Sequence, residues 1–193
     1  MIYRLIRSIP QVDNISLQQG VPPTLTPDKL DPHEIMMSPD YKSYFITCQS
    51  SNELLVVNAS NDSVIKSIPM GNFPLEMALS KKRNLLFITC QEDTNPIFPF
   101  FKGSVKAVDL NTLSVVKTFY EQFYQPHGIA VDDSRDLLYV VSTNANPTGP
   151  SPHHASECAG RIGYFHIIDL NTWVDIITKS ELSVFPYSMA VRE

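Results

Sequence analysis

The stretch PHEIMMSPDYKSYFITCQSSNELLVVNASNDSVIKSIPMGNF, residues 32–73, is repeated along the chain. A second copy begins as PLEMALSKKRNLLFITCQ at residue 74 and resumes as GSVKAVDLNTLSVVKTF at residue 103. A third begins as PHGIAVDDSRDLLYVVS at residue 126 and resumes as GYFHIIDLNTWVDIIT at residue 163, and PYSMAVRE starts a fourth at residue 186. Repeats of about 40 to 50 residues made of short strands are typical of propeller blades. The sequence therefore predicts an all-β chain, a β-propeller of four-stranded antiparallel blades.

Each copy contains four predicted strands, which in the first copy cover residues 32–38, 43–48, 53–57 and 63–68. These runs are rich in β-branched and aromatic residues and end at Asn, Asp, Ser or Pro, as strands and turns do. The second strands, SYFITC, LLFITC and LLYVVS, are apolar at nearly every position rather than alternating. Such a run indicates a strand that is covered on both faces, as in blades that stack on one another.

The repeats divide the chain into two regions. Residues 1–31 are predicted to contain one strand, at 2–9, and a polar, proline-rich linker, at 11–31. Residues 32–193 are predicted to form the blades, at 32–73, 74–125 and 126–185, with the first strand of a further blade at 186–193. We expect a partial propeller, the C-terminal part of a larger ring, whose open blade faces would favour self-association.

Composition excludes two classes of partner. The 15 basic and 20 acidic residues give a net charge of −5 without any basic run, which argues against nucleic-acid binding. No apolar run approaches the roughly 18 residues of a membrane span, and residues 1–10 are too interrupted by Arg4 and Arg7 for a secretory signal. Cys48 and Cys90 share the motif ITCQ in neighbouring repeats, so we expect both to be buried, reduced and not bonded to each other.

The repeat motifs resemble the YVTN-type repeats, a family of β-propellers, and among them the exported YncE-like proteins. The resemblance covers residues 32–193, and the counterparts of its motifs are Pro32 with Ser38-Pro39-Asp40, Gly71–Pro74, Val105–Asp109 with Thr112, Leu138–Val141, and Ile167–Asp169 with Thr172. It implies a periplasmic or cell-surface location. It does not fix an activity, because the family includes surface proteins, binding proteins and the propeller domains of copper and haem enzymes.

Two histidines at blade openings are the first candidate site residues. His33 and His127 follow the first proline of their repeats, where the other copies have Leu75 and Tyr187. First strands begin at the mouth of the central channel, and imidazole is a common ligand of copper and zinc. The two side chains are therefore predicted to bind a ligand or a metal there, or else to form hydrogen bonds to the backbone of a neighbouring blade.

Two insertions lie between second and third strands, at residues 92–102 and 143–162. In the second, His153, His154 and Cys158 offer two nitrogens and a thiolate, and Arg161 is a candidate for an anionic ligand or for an ion pair. Three roles stay open for this second insertion: metal binding, a structural loop over the channel mouth, and catalysis. We expect one of the loop histidines to lie within about 8 Å of the blade-opening histidines. The first insertion carries Phe98, Phe100 and Phe101, which we expect to pack against a neighbouring blade.

The leading hypothesis is a non-catalytic binding or scaffold module that recognises a protein, a glycan or a small molecule at its loop face. The sequence shows no Ser-His-Asp order, phosphate-binding glycine loop or haem-attachment motif. The alternative is a metal- or cofactor-dependent redox or hydrolytic propeller, including a lactonase-like one, with copper or zinc as the metal. Glu34 and Glu76, which share a repeat position, are candidates for a general base in that case.

Overall fold

The chain begins with a hairpin that the sequence does not predict. The computed structural model describes residues 2–6, 11–15, 30–142, 162–184 and 186–191. Strand β1, Ile2–Ile6, pairs antiparallel with β2, Gln11–Ile15, and Ile2 lies opposite Ile15. Residues 11–15 therefore differ from the linker expected there. A polar segment forms a strand when a neighbouring strand satisfies its backbone hydrogen bonds, and β1 does so here.

Three four-stranded antiparallel sheets follow, and in each of them the strands lie side by side in chain order. The first sheet consists of β3 (Pro32–Met37), β4 (Ser43–Cys48), β5 (Glu53–Asn58) and β6 (Val64–Pro69). The second consists of β7 (Pro74–Ser80), β8 (Leu85–Thr94), β9 (Lys102–Asp109) and β10 (Ser114–Phe119). The third consists of β11 (Pro126–Asp132), β12 (Leu137–Ser142), β13 (Ile162–Asp169) and β14 (Val174–Val184). The predicted all-β architecture of four-stranded antiparallel sheets is confirmed.

The turn between the third and fourth strands has the same chemistry in two blades. Asp109 Oδ1 accepts hydrogen bonds from the backbone N–H groups of Asn111 and Thr112. Asp169 accepts the corresponding bonds from the next Asn-Thr pair in the third blade. A carboxylate that binds the backbone two and three residues ahead favours a tight turn, so the repeated sequence Asp-Leu-Asn-Thr sets where the outermost strands begin.

The sheets stack through apolar side chains on both faces, as the second strands predict. Between the first and second sheets lie Phe45, Leu54, Val56, Met77, Leu86, Ile88 and Cys90. Between the second and third lie Ala78, Phe87, Val105, Phe119, Phe123, Ile129, Leu138 and Val140. Cys48 and Cys90 are buried and form no disulfide, which confirms that expectation. Within the part of the chain that the structure describes, no helix is long and apolar enough to cross a membrane.

Residues 186–191 form no strand, so the predicted strand at this position is wrong for the described residues. The segment nevertheless begins where a blade opening belongs. A Cβ atom added to Gly163 would lie 2.1 Å from Pro186 Cδ, and one added to Gly103 would lie 2.2 Å from Pro126 Cδ. Pro126 and Pro186 therefore each pack on a glycine of the preceding third strand. A strand is stabilised by its hydrogen-bonded neighbour, and no described strand pairs with residues 186–191.

Candidate functional site

A bulge at the start of each inner strand positions the candidate site. In the first blade Pro32 pairs with Cys48, and the next pair is Ile35 with Ile46. Two residues of β3 therefore lie opposite the single residue Thr47, which is the arrangement of a β-bulge. The same register shift follows Pro74 in β7 and Pro126 in β11. The two residues after each blade-opening proline therefore lie outside the regular pairing between the first and second strands.

A threonine hydroxyl fixes the bulge and joins it to the next blade. Thr47 Oγ1 accepts the backbone N–H of Glu34 at 3.1 Å and donates to the carbonyl oxygen of Leu75 at 2.7 Å. Thr89 Oγ1 accepts the N–H of Glu76 at 3.1 Å and donates to the carbonyl of His127 at 3.0 Å. Buried backbone groups require such partners, so the threonines hold neighbouring inner strands in a fixed relation.

Three ionisable side chains from three successive blades meet at these bulges. His33 Nε2 lies 3.3 Å from Glu76 Oε1, and His127 Nδ1 lies 3.8 Å from the same oxygen. The two imidazole rings are in edge contact, with their centroids 6.0 Å apart. One nitrogen or oxygen atom from each residue lies within 4.8 Å of the others. The expected proximity of His33 and His127 is therefore observed.

The cluster has a buried side and an open side. The His127 side chain is fully buried, whereas those of His33 and Glu76 are 18% and 26% exposed. The ring of Tyr187 lies over that of His127 at a centroid distance of 3.9 Å. This approach requires Gly128, because a Cβ atom there would lie 2.9 Å from the Tyr187 carbonyl oxygen. A ligand would therefore approach past His33 and Glu76, along the edge of Tyr187.

Two acidic groups beside the histidines have raised pKa values, which favour their neutral forms. Burial and the neighbouring Glu76 carboxylate raise the pKa of Glu34 to about 7, although Glu34 accepts a short hydrogen bond from the Met77 N–H. Burial and Glu76 also raise the pKa of Tyr187 above its usual range. Both shifts mean that a further negative charge is unfavourable here. Of the two causes, only the charge of Glu76 would favour a positive charge placed near it, because burial disfavours charges of either sign.

The sequence identifies only part of this cluster. His153, His154, Cys158 and Arg161 lie outside the described residues, so their predicted part in a site stays a prediction. Glu76 enters the sequence analysis only as a candidate base, yet it is the residue that both histidines approach. The sequence signal for Glu76 was its repeat position, which it shares with Glu34. The side-chain direction follows from the bulge and from the neighbouring blades, neither of which is readable from spacing.

A second polar cluster is fully buried and was missed by the sequence analysis. Ser142 Oγ lies 3.3 Å from Nε2 of His166, whose Nδ1 lies 3.0 Å from a carboxylate oxygen of Asp175. The order Ser, His, Asp is thus present in space, although no known motif marks it. Ser142 is fully buried and also accepts the N–H of Tyr124. Because a nucleophile must reach its substrate, we interpret this triad as a structural link between β12, β13 and β14.

The first insertion packs on the third blade in part. Phe101 contacts Tyr124 at a centroid distance of 4.6 Å, and Tyr124 stacks on Tyr164 of β13. Phe98 contacts Phe101 edge to face. Phe100, however, is 81% exposed, so the expectation of packing against a neighbouring blade is wrong for this residue. The loop conformation is fixed by Asn95, which accepts two backbone N–H groups and donates to the carbonyl of Glu121.

Comparison with solved structures decides the architecture. The chain is similar to hydrazine synthase of Kuenenia stuttgartiensis, with a TM-score of 0.63 and 20% identity over 90% of this chain and 42% of that chain. It is similar to U3-55K and to the WD40 repeats of RRP9, each with a TM-score of 0.56 and 12% identity over 82% of this chain. WD40 repeats form propellers. The fold is that of a β-propeller.

The comparisons do not assign the chain to a protein family. The chain spans 42%, 41% and 40% of the three similar structures, which is less than half of each. No protein-family model matches the chain, and no curated protein matches its sequence. Likeness at 12 to 20% identity shows the fold alone. The resemblance to YVTN-type repeats therefore stays a prediction.

Proposed function

We propose that this chain is a non-catalytic β-propeller binding module of YVTN-like repeats, which recognises a small cationic ligand at the cluster of His33, Glu76 and His127. The observation that carries the proposal is the convergence of these side chains from three sheets around one carboxylate oxygen. Polar groups that converge at an open, largely preformed site are the usual mark of ligand recognition. The repeat motifs support the YVTN-like assignment.

A cation suits the charges of the cluster. Glu76 and Glu34 are adjacent carboxyl groups, and the pKa of Glu34 is raised to about 7 by burial and by Glu76. A bound positive charge near Glu76 would offset the part of this shift that comes from Glu76. Tyr187 offers an exposed aromatic edge beside the cluster, and aromatic rings contribute favourable contacts with organic cations. An anionic ligand would instead be repelled by the Glu76 carboxylate.

A binding role fits the described residues better than hydrolysis does. The three residues of the cluster include no nucleophilic hydroxyl or thiol, and the only described Ser-His-Asp arrangement has its serine fully buried. The inner strands that carry the cluster are tied to each other through Thr47 and Thr89. Rigid placement of this kind preorganises a site and lowers the cost of binding.

The test is a thermal-shift and calorimetric screen of cationic ligands, performed with a chelator so that free metal does not contribute. The panel consists of choline, spermidine, arginine and a lysine-rich tetrapeptide. We expect at least one ligand to raise the melting temperature, with an affinity that falls as salt rises. The effect should be lost in Glu76→Gln and retained in Glu181→Gln, which changes an exposed glutamate of β14. Equal binding by both variants would show that the ligand does not bind at this cluster.

A further inference from the structure

We propose that His33, Glu76 and His127 bind one divalent first-row transition-metal ion, and zinc is the ion that this donor set suits best. This inference rests on the proposed function in one respect, that the cluster recognises a cation; here the cation is a metal ion rather than an organic ligand. It adds a defined ligand set, in which Glu76 joins two histidines, and it places a metal ion at the junction of three blades.

The spacing of the donor atoms is close to that of a metal site. Zinc binds histidine nitrogen at about 2.0–2.1 Å and carboxylate oxygen at about 2.0–2.2 Å, so two ligands of a tetrahedral ion lie roughly 3.3–3.4 Å apart. His33 Nε2 and Glu76 Oε1 are already 3.3 Å apart. His127 Nδ1 and Glu76 Oε1 are 3.8 Å apart, about 0.4–0.5 Å more than this spacing. The three donors lie within 4.8 Å of one another.

The donor types select among cations. Two imidazole nitrogens with one carboxylate suit zinc and its neighbours in the first transition row, whereas magnesium and calcium prefer oxygen ligands. Three protein ligands leave a coordination position for water or for an exogenous group. The partly exposed side of His33 and Glu76 is where that position would face.

Neighbouring side chains hold the proposed ligand residues in place, as they do in metal sites. The carbonyl of His127 and the N–H of Glu76 are both bound by the hydroxyl of Thr89. Tyr187 covers one face of the His127 ring. The backbones of two of the three ligands are therefore held by one buried side chain, and the cluster needs little rearrangement to receive an ion.

The experiment is a titration of the full chain, stripped of metal by a chelator and then dialysed, with zinc followed by calorimetry and with cobalt followed by visible absorption. The loop residues His153, His154 and Cys158 are first changed to Gln, Gln and Ser, so that they cannot supply ligands. We expect this background to bind one equivalent of metal. We also expect cobalt absorption bands typical of a tetrahedral site, without a charge-transfer band from sulfur.

In the same background, Glu76→Gln and His33→Gln should each weaken zinc binding at least about tenfold, whereas Glu181→Gln should leave it unchanged. His127→Gln is expected to abolish binding, and circular dichroism would report whether this buried substitution preserves the fold. If it does not, the two partly exposed ligands decide the question. The proposal is overturned if the background binds no zinc, or if Glu76→Gln and His33→Gln bind it with unchanged affinity.

Failure of this inference is distinguishable from failure of the proposed function. Absence of zinc binding, together with an organic cation that binds in chelator and is lost in Glu76→Gln, overturns the metal site alone. Zinc binding that depends on Glu76, with no organic cation bound, supports the metal site and overturns organic-cation recognition. Absence of both overturns both.

Discussion

The hydroxyl of Thr89 lies 3.0 Å from the carbonyl oxygen of His127, and this hydrogen bond joins the second strand of one blade to the inner strand of the next. Thr47 makes the corresponding bond to Leu75. At the equivalent position of the third blade the chain has Val141, whose Cγ2 atom lies in the same narrow space as the Tyr187 carbonyl. Valine cannot donate a hydrogen bond, and the segment that would receive it, residues 186–191, forms no strand.

Thr89 and Val141 occupy equivalent positions, and the hydrogen bond that only Thr89 makes predicts opposite effects of Thr89→Val and Val141→Thr on stability. Thr89→Val should destabilise the fold by about 1–3 kcal/mol, because it leaves two buried backbone groups without their partner. Val141→Thr should instead slow amide hydrogen exchange in residues 188–191. Urea unfolding and hydrogen exchange measure the two effects. Thr118→Val, in the outermost strand β10, is the matched control and should cost less than Thr89→Val.

The buried triad predicts a graded loss of stability at Asp175. Asp175→Ala removes the acceptor for His166 Nδ1 and should cost about 3 kcal/mol, because it leaves a buried polar group without its partner. Asp175→Asn keeps a carbonyl acceptor of similar shape and should cost about 1 kcal/mol. Chemical denaturation of the two variants gives the comparison. Equal effects would show that the carboxylate charge, which both variants remove, governs this position rather than the acceptor that only Asn keeps.

Burial predicts that Cys90 is unreactive in the folded protein. Burial and the nearby Asp93 carboxylate raise the pKa of the Cys90 thiol to about 12, and thiolate is the reactive form. In a Cys158→Ser variant at pH 8, a thiol reagent should label the native protein only as fast as it opens. Two thiols should react at once in denaturant. Rapid native labelling of Cys90, located by peptide mass, would contradict the buried position.

An ion-pair cluster between the second and third blades predicts acid sensitivity. Hydrogen bonds from Lys82 and Arg83 lower the pKa of Asp136 below its usual range. Because the folded pKa lies below the unfolded value of about 3.9, the stabilisation is present above that value and is lost as pH falls through the folded pKa. The melting temperature of Asp136→Asn should therefore fall less than that of wild type between about pH 5 and 2. Glu181→Gln is the control and should follow wild type.

Local sequence accounts for most of the blade architecture. The run Ser43–Cys48 was predicted with the bounds that the structure shows, because its apolar residues end at turn-forming residues on both sides. Repetition allowed the same boundaries to be transferred to LLYVVS in the third blade, which matches Leu137–Ser142. In the second blade the strand runs beyond LLFITC to Thr94, into the predicted insertion. The hairpin strand Gln11–Ile15 could not be found in this way, since its polar sequence has no counterpart in the repeats and depends on pairing with Ile2–Ile6.

The candidate site depends on a different level of structure. Sequence alone determined that His33 and His127 occupy equivalent blade-opening positions, because the repeat fixes position along each strand. Tertiary structure decided that Glu76 lies between them, and that Ser142, His166 and Asp175 meet in the interior. The physical reason is that these contacts depend on bulges, strand register and blade stacking, which bring together residues far apart in sequence. Repeat spacing specifies the strands, whereas the packing of one sheet on another specifies which side chains touch.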